Sequence, residues 1–161
     1  MQLQEELADR TSWSTQGRCP VEKAMKVVGS RGAMLTMREA FYGTRRFDDF
    51  MTRVGMSSAT TASNLRALTE AGLLTRCSYQ EDGARARKEY VLTEAGTDLM
   101  PVVLGLFAWG SQHVGELPPV ELTHHECGAK VEVHVRCTAG HELSSDDIQM
   151  SRRASQSGAD Q

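Results

Sequence analysis

Between Gly43 and Gly96 the apolar residues change their spacing twice, and no other part of the chain restricts the fold as tightly. Phe47, Phe50, Met51 and Val54 recur at helical intervals, Gly55-Met56-Ser57 breaks the period, and Leu65 and Leu68 resume it until Gly72. Leu73 to Tyr79 then reads as a strand, Gln80 to Ala86 as a polar turn containing Asp82-Gly83, and Lys88 to Leu92 as the return strand. Two short amphipathic helices leading into a hairpin predict a winged helix-turn-helix. Such a unit offers one helix to a DNA major groove and a ribbon to the adjacent backbone.

The flanking segments complete an α+β domain. Pro20 suits the first position of a helix that carries Val21, Ala24, Met25 and Val28 and ends at Gly29. A second helix, from about Ala33 to Phe41, closes at Gly43. Ser57 or Ser58 caps the helix that follows the turn, which spans roughly Ala59 to Ala71. After the hairpin, Thr93-Glu94-Ala95-Gly96 opens the longest helix, which runs to about His113 with Pro101 in its first turns. From Leu99 to Trp109 it has ten apolar residues counting Pro101, more than one small core requires. The surplus face predicts contact with a second copy, with Val21, Met25, Leu99, Val103, Leu106 and Phe107 as the expected interface.

The expected organisation is a flexible arm at 1–18, the winged helix-turn-helix and dimerisation domain at 19–113, a ribbon-like extension at 114–150 and a disordered tail at 151–161. Within the extension, Ala129 to Arg136 alternates apolar and polar residues, the pattern of a strand with one buried face. The tail is Ser, Arg, Gln and Gly with nothing to pack.

Composition fits a small cytoplasmic protein: 161 residues, 40% apolar, enough for one core. Glu5, Glu6 and Asp9 lie where a secretory leader needs basic residues, and no apolar run approaches a membrane span. Four cysteines at unrelated spacings do not make a disulfide framework. The net charge of −3 has the wrong sign for a phosphate binder, but its distribution is uneven. Residues 1–19 carry two basic and three acidic side chains (−1), residues 20–113 twelve and ten (+2), and residues 114–161 four and eight (−4). Affinity follows the local face, and +2 is modest, so two copies side by side are expected to be needed for tight binding.

Several motifs follow one another in order: Cys19-Pro20-Val21-Glu22, Arg38-Glu39-Ala40-Phe41-Tyr42-Gly43, Arg45-Arg46-Phe47, Leu65-Arg66-x-Leu68-x-x-Ala71-Gly72-Leu73, Tyr90-x-Leu92-Thr93-x-x-Gly96 and Trp109-Gly110. From about Cys19 to His113 the chain resembles the HxlR-type branch of winged-helix bacterial transcription regulators, in the MarR-like superfamily. The resemblance implies a homodimer, held by its first and last helices, on a palindromic operator in double-stranded DNA. The family usually has Trp where this chain has Gly32 and a core Leu where it has Thr61.

For DNA contact, Ser57, Ser58, Thr60, Thr61, Ser63, Asn64 and Arg66 are the candidates on the reading helix. Asn suits adenine, and Thr can donate to a base or touch a thymine methyl. Arg66 alternatively meets a phosphate or an acidic neighbour. Arg85, Arg87 and Lys88 in the hairpin, with Arg45 and Arg46 at the start of the helix before the turn, are the candidate phosphate contacts, diluted by Glu81, Asp82 and Glu89. The alternative for all of them is a solvated surface. In that case the module binds protein rather than DNA.

Cys19 is the candidate redox sensor. In relatives that the resemblance brings in, a cysteine just before the first helix senses electrophiles or oxidants, and a helix N-terminus with nearby Arg18 favours a thiolate. An unidentified small molecule or electrophile is therefore the expected effector, with an inert thiol as the alternative. In the extension His124, Cys127, Cys137 and His141 make a two-sulfur, two-nitrogen set that suits zinc, although neither half is Cys-x-x-Cys and no cofactor is required. A metal-free ribbon is the alternative. A thiol enzyme would need Cys127 or Cys137 beside His134 or His141 in a closed cleft, and no hydrolase or phosphate-loop motif accompanies them.

Overall fold

The computed structural model describes residues 1–15, 17–79 and 87–152, the side chain of Tyr79 excepted. In chain order these form β1 (Gln2–Leu3), α1 (Glu5–Ala8), α2 (Pro20–Val28), α3 (Arg31–Phe41), α4 (Phe47–Val54) and α5 (Ser58–Glu70). Then come β2 (Leu74–Tyr79), β3 (Arg87–Leu92), α6 (Glu94–Thr97), α7 (Met100–His113), a 3-10 turn at Ser145–Asp147 and β4 (Gln149–Met150). The chain divides into two units, Cys19–Val131 and Met1–Arg18 with Glu132–Gln161.

In the larger unit α3, α4, α5 and β2 meet around Met37, Phe50, Leu65, Leu68 and Leu74, all essentially without exposure. Each such side chain contributes roughly 1.5–3 kcal/mol by leaving water. Thr36 and Thr61 share that interior, and each hydroxyl donates to the carbonyl four residues earlier, Gly32 O at 2.7 Å and Ser57 O at 3.0 Å. Thr61 therefore fills the core position where a leucine is usual in the family. Its hydrogen bond removes the penalty of burying a hydroxyl.

The helix ends follow their capping chemistry. Ser30 and Ser57 accept from the backbone N–H of Ala33 and Thr60, at the starts of α3 and α5. Gly55 stops α4 in the left-handed region (φ 70°), which permits the sharp turn into α5. After the hairpin, Thr93 Oγ1 accepts from Gly96 N and donates to the Gly72 carbonyl at 2.5 Å, tying α6 to the end of α5. A Cβ at Gly96 would lie 2.1 Å from the Leu73 carbonyl oxygen, so the Thr-x-x-Gly motif is a close-approach requirement.

β2 and β3 pair antiparallel, and a bridge between Arg46 and Glu89 adds the residues before α4 as a third, minimal strand. The expected turn at 80–86 lies outside the described residues. The single long helix expected to open at Thr93-Glu94-Ala95-Gly96 and run to about His113 is two helices, α6 and α7. Pro101 explains the break, since it has no N–H to continue the ladder and its ring crowds the preceding turn.

The extension also differs from expectation. Ala129 to Arg136 is not one strand, and Val131, Val133 and Val135 are all exposed. The segment instead contributes to two separate tight turns, closed by bridges between Thr123 and Lys130 and between Arg136 and Glu142.

In the smaller unit the expected flexible arm is corrected. β1 pairs parallel with β4, Leu7 of α1 is buried, and Trp13 Nε1 donates to the Leu7 carbonyl at 3.1 Å. Arg10 lies 4.0 Å from the Trp13 ring centroid. The partner strand is 147 residues away along the chain (Gln2 to Gln149), so local periodicity could not reveal it. Most of the tail, 153–161, is outside the described residues.

Candidate nucleic-acid interface

α5 sorts its polar residues between inside and outside. Ser58, Thr60, Ser63 and Arg66 are exposed, with Ala59 and Ala67 between them. Ser57 is occupied as the cap, its Oγ also lying 2.9 Å from Thr60 Oγ1. Two candidates do not face outward. Thr61 is fully buried, because the i, i+4, i+7 row Thr61, Leu65, Leu68 is the core row of this helix. Asn64 is half-buried, and its Nδ2 lies 3.3 Å from Met56 Sδ and against Gly32 at the start of α3. Position on the helix marked Asn64 as outward. The missing side chain at Gly32 gave its amide a place to turn inward.

A buried carboxylate sets the position of the basic pair. Glu39 of α3 accepts from Arg38 Nη2 at 2.6 Å and Nε at 3.2 Å, and its other oxygen accepts from Thr44 Oγ1 at 3.2 Å. Thr44 Oγ1 accepts in turn from Arg53 Nη1 at 2.8 Å, and Thr44 N donates to the Glu39 carbonyl. Burying a carboxylate is expensive without such partners, and here both oxygens have them. The network pins Thr44, so Arg45 and Arg46 leave α3 in a fixed direction. The Arg45 carbonyl accepts from Tyr90 N at 2.9 Å.

The charges of the hairpin are segregated. Glu89, which sequence counts as diluting the basic patch, is taken by Arg45 at 3.8 Å. Arg87 and Lys88 are exposed, and Lys88 Nζ donates to Ser78 Oγ at 2.5 Å. Arg76 of β2 escaped the sequence reading. It is the register partner of Tyr90 and lies over that ring, 5.8 Å from the centroid. Only the pairing register could reveal it. Arg85 lies outside the described residues.

Among the dimer candidates, Val21 and Met25 are exposed one turn apart on α2. On α7 the row Val102, Leu106, Trp109 is about half exposed (49%, 51% and 59%). Leu99 packs on the core, while Val103 and Phe107 are half-buried and line an apolar cleft of about 360 Å³ between α3 and α7, with Arg38 and Tyr42 also in its wall. α7 has no buried residue.

Cys19 is the N-cap residue of α2, half-buried, and its side chain makes no cap hydrogen bond. In the larger unit His124 Nδ1 lies 3.2 Å from Cys127 Sγ, and in the smaller unit Cys137 Sγ lies 3.5 Å from His141 Nδ1. Among the described residues no group of three or more His, Cys, Asp or Glu is gathered for a metal. Each Cys-His pair sits on a turn, with both histidines exposed, and His134 is engaged by Glu132 and Glu142. No described helix is long and apolar enough to cross a membrane.

Known proteins agree with this arrangement. The chain is 39% identical over 131 residues to Rv3095, an uncharacterized HTH-type transcriptional regulator of Mycobacterium tuberculosis, covering 80% of this chain and 82% of that one. The fold matches the crystal structure of PA1607, described as a candidate transcription factor, with TM-score 0.77 and 30% identity over 86% of this chain and 98% of that one. It also matches the reduced form of the redox regulator HypR, with TM-score 0.53 and 28% identity over 59% and 95% of the two chains. Residues 27–118, more than half of the chain, match the HxlR-like helix-turn-helix model. The protein belongs to the HxlR-like helix-turn-helix family of transcriptional regulators.

Proposed function

We propose that the protein binds double-stranded DNA as a homodimer at an inverted-repeat operator, reading bases with the exposed face of α5. The observation that carries this reading is that Ser58, Thr60, Ser63 and Arg66 form an exposed polar face. Arg46, Arg87 and Lys88 of neighbouring elements supply cations for the phosphates. The second copy covers Val21 and Met25 of α2 and the Val102, Leu106, Trp109 row of α7, apolar area that a monomer leaves in water. Such a dimer sets its half-sites about one helical turn apart.

Cys19 makes binding redox-responsive. HypR, whose fold this chain shares, is named a redox regulator in both a reduced and an oxidised form, and Cys19 stands at the start of a helix with its thiol uncommitted to capping. An apolar effector has the α3–α7 cleft available to it. Sequencing genomic fragments retained by the protein, with and without a thiol oxidant, tests both claims. An enriched symmetric site is expected. Its occupancy should change on oxidation in the wild type but not in Cys19→Ser. No enriched site would favour a module that binds protein instead.

A further inference from the structure

The hairpin presents two chemically different faces. Its register pairs Leu74 with Leu92, Arg76 with Tyr90 and Ser78 with Lys88, and alternation along a strand puts these six on one face, the one that buries Leu74. Glu89 belongs to the opposite face, with Arg45. Among the described residues the inner face thus passes from apolar core to Arg76 and then Lys88, with no carboxylate.

Arg76 is held in place. The Tyr90 ring meets Phe50 edge-on, with centroids 6.3 Å apart and planes at 86°, and Phe50 is fully buried. A guanidinium resting on a ring wedged against the core has less freedom to lose on binding. Two clefts meet at this Arg76-Tyr90 pair. One, of about 430 Å³, adjoins α5 and includes Arg66 and Glu70. The other, of about 470 Å³, opens between the start of α4 and the hairpin, where the described lining includes Arg46, Arg76, Arg87 and Lys88 with one carboxylate, Asp48. Among the described residues no carboxylate forms an ion pair with Arg76 or Arg87.

We propose that this second cleft is a phosphate site centred on Arg76, and that the phosphate it takes is a backbone phosphodiester of the duplex read by α5. The inference rests on the DNA-binding reading above. A guanidinium fork suits two phosphate oxygens, and Arg87 and Lys88 supply further donors. The contact lies at the base of the hairpin and carries no base information, so it fixes the register of α5 on the duplex rather than its sequence preference.

The test uses the full chain, labelled with ¹⁵N, with the Arg76 Nε–H resonance assigned by its loss in R76Q. One titration uses a duplex of random sequence, a second inorganic phosphate. The resonance should move with duplex at phosphate concentrations where inorganic phosphate has no effect. R76Q should weaken duplex binding roughly five- to tenfold at about 0.1 M salt and lower the slope of log affinity against log salt by about one. R76K should restore that slope, which a folding defect would not allow. If duplex binds the wild type yet leaves the resonance unmoved and R76Q keeps the full slope, the cleft proposal fails and the DNA reading survives. If duplex does not bind at all, both fail, whether or not inorganic phosphate shifts the resonance.

Discussion

The side-chain amide of Asn64 occupies the space above Gly32: a Cβ built on that glycine would lie 2.4 Å from Asn64 Nδ2 and 3.2 Å from Met56 Sδ. Where the family places Trp, this chain joins α3 to the reading helix through a glycine and an asparagine. Gly32→Ala should nevertheless be nearly neutral, because the atom it meets is the free end of a short side chain. The gain in helix propensity, about 1 kcal/mol, offsets the displacement. In an Asn64→Ala background the same substitution should become stabilising by roughly 0.5–1 kcal/mol. Urea unfolding of the four variants measures this, and equal effects in both backgrounds would show that the two positions are not coupled.

The same contact redistributes the reading of bases along α5. Thr60→Ala and Ser63→Ala should each reduce discrimination between matched and singly substituted operators, by about 1 kcal/mol or more. Asn64→Ala should leave that discrimination nearly unchanged. Binding isotherms decide it, and a changed base preference in Asn64→Ala would mean that its amide turns outward on DNA.

Glu39 connects α3 to the segment that delivers Arg45 and Arg46. Glu39→Gln keeps the shape but loses the ion pair with Arg38. A buried charged hydrogen bond is worth about 1.5–3 kcal/mol, and a lower value is expected here because Arg38 is one-third exposed. A lowered urea midpoint with an unchanged slope is the expected result. Full stability would show that Thr44 holds its position without the carboxylate.

Leu106→Asp should convert a dimer into a monomer or an aggregate in light scattering, since Leu106 is the centre of the exposed α7 row. Phe107→Asp should instead lower monomer stability, because Phe107 is half-buried toward α3. A well-folded Leu106→Asp dimer would place the interface elsewhere.

His134 has a carboxylate at each ring nitrogen. The hydrogen bond to Glu132, followed by that to Glu142, holds its pKa above the ordinary 6.5. A raised folded-state pKa means that the pair stabilises the smaller unit fully below pH 6.5, and that this contribution disappears as pH rises through the raised value. An NMR titration of the imidazole should show the elevated pKa, reduced by Glu142→Gln. A midpoint at 6.5 would show that neither carboxylate holds it in solution.

Local sequence sufficed for α2 to α5 and the two hairpin strands of the larger unit. Helical spacing placed α2 to α5, the glycines at 43, 55 and 72 marked their ends, and the alternating hairpin followed. These features depend on residues within a few positions of each other, so composition and spacing carry them. Long-range pairing decided the rest. The parallel strand Gln2–Leu3 found its partner at Gln149–Met150, the register of β2 and β3 put Arg76 beside Tyr90, and an absent side chain at Gly32 turned Asn64 inward. Each depends on what stands opposite a residue in space, and a one-dimensional pattern contains no record of that.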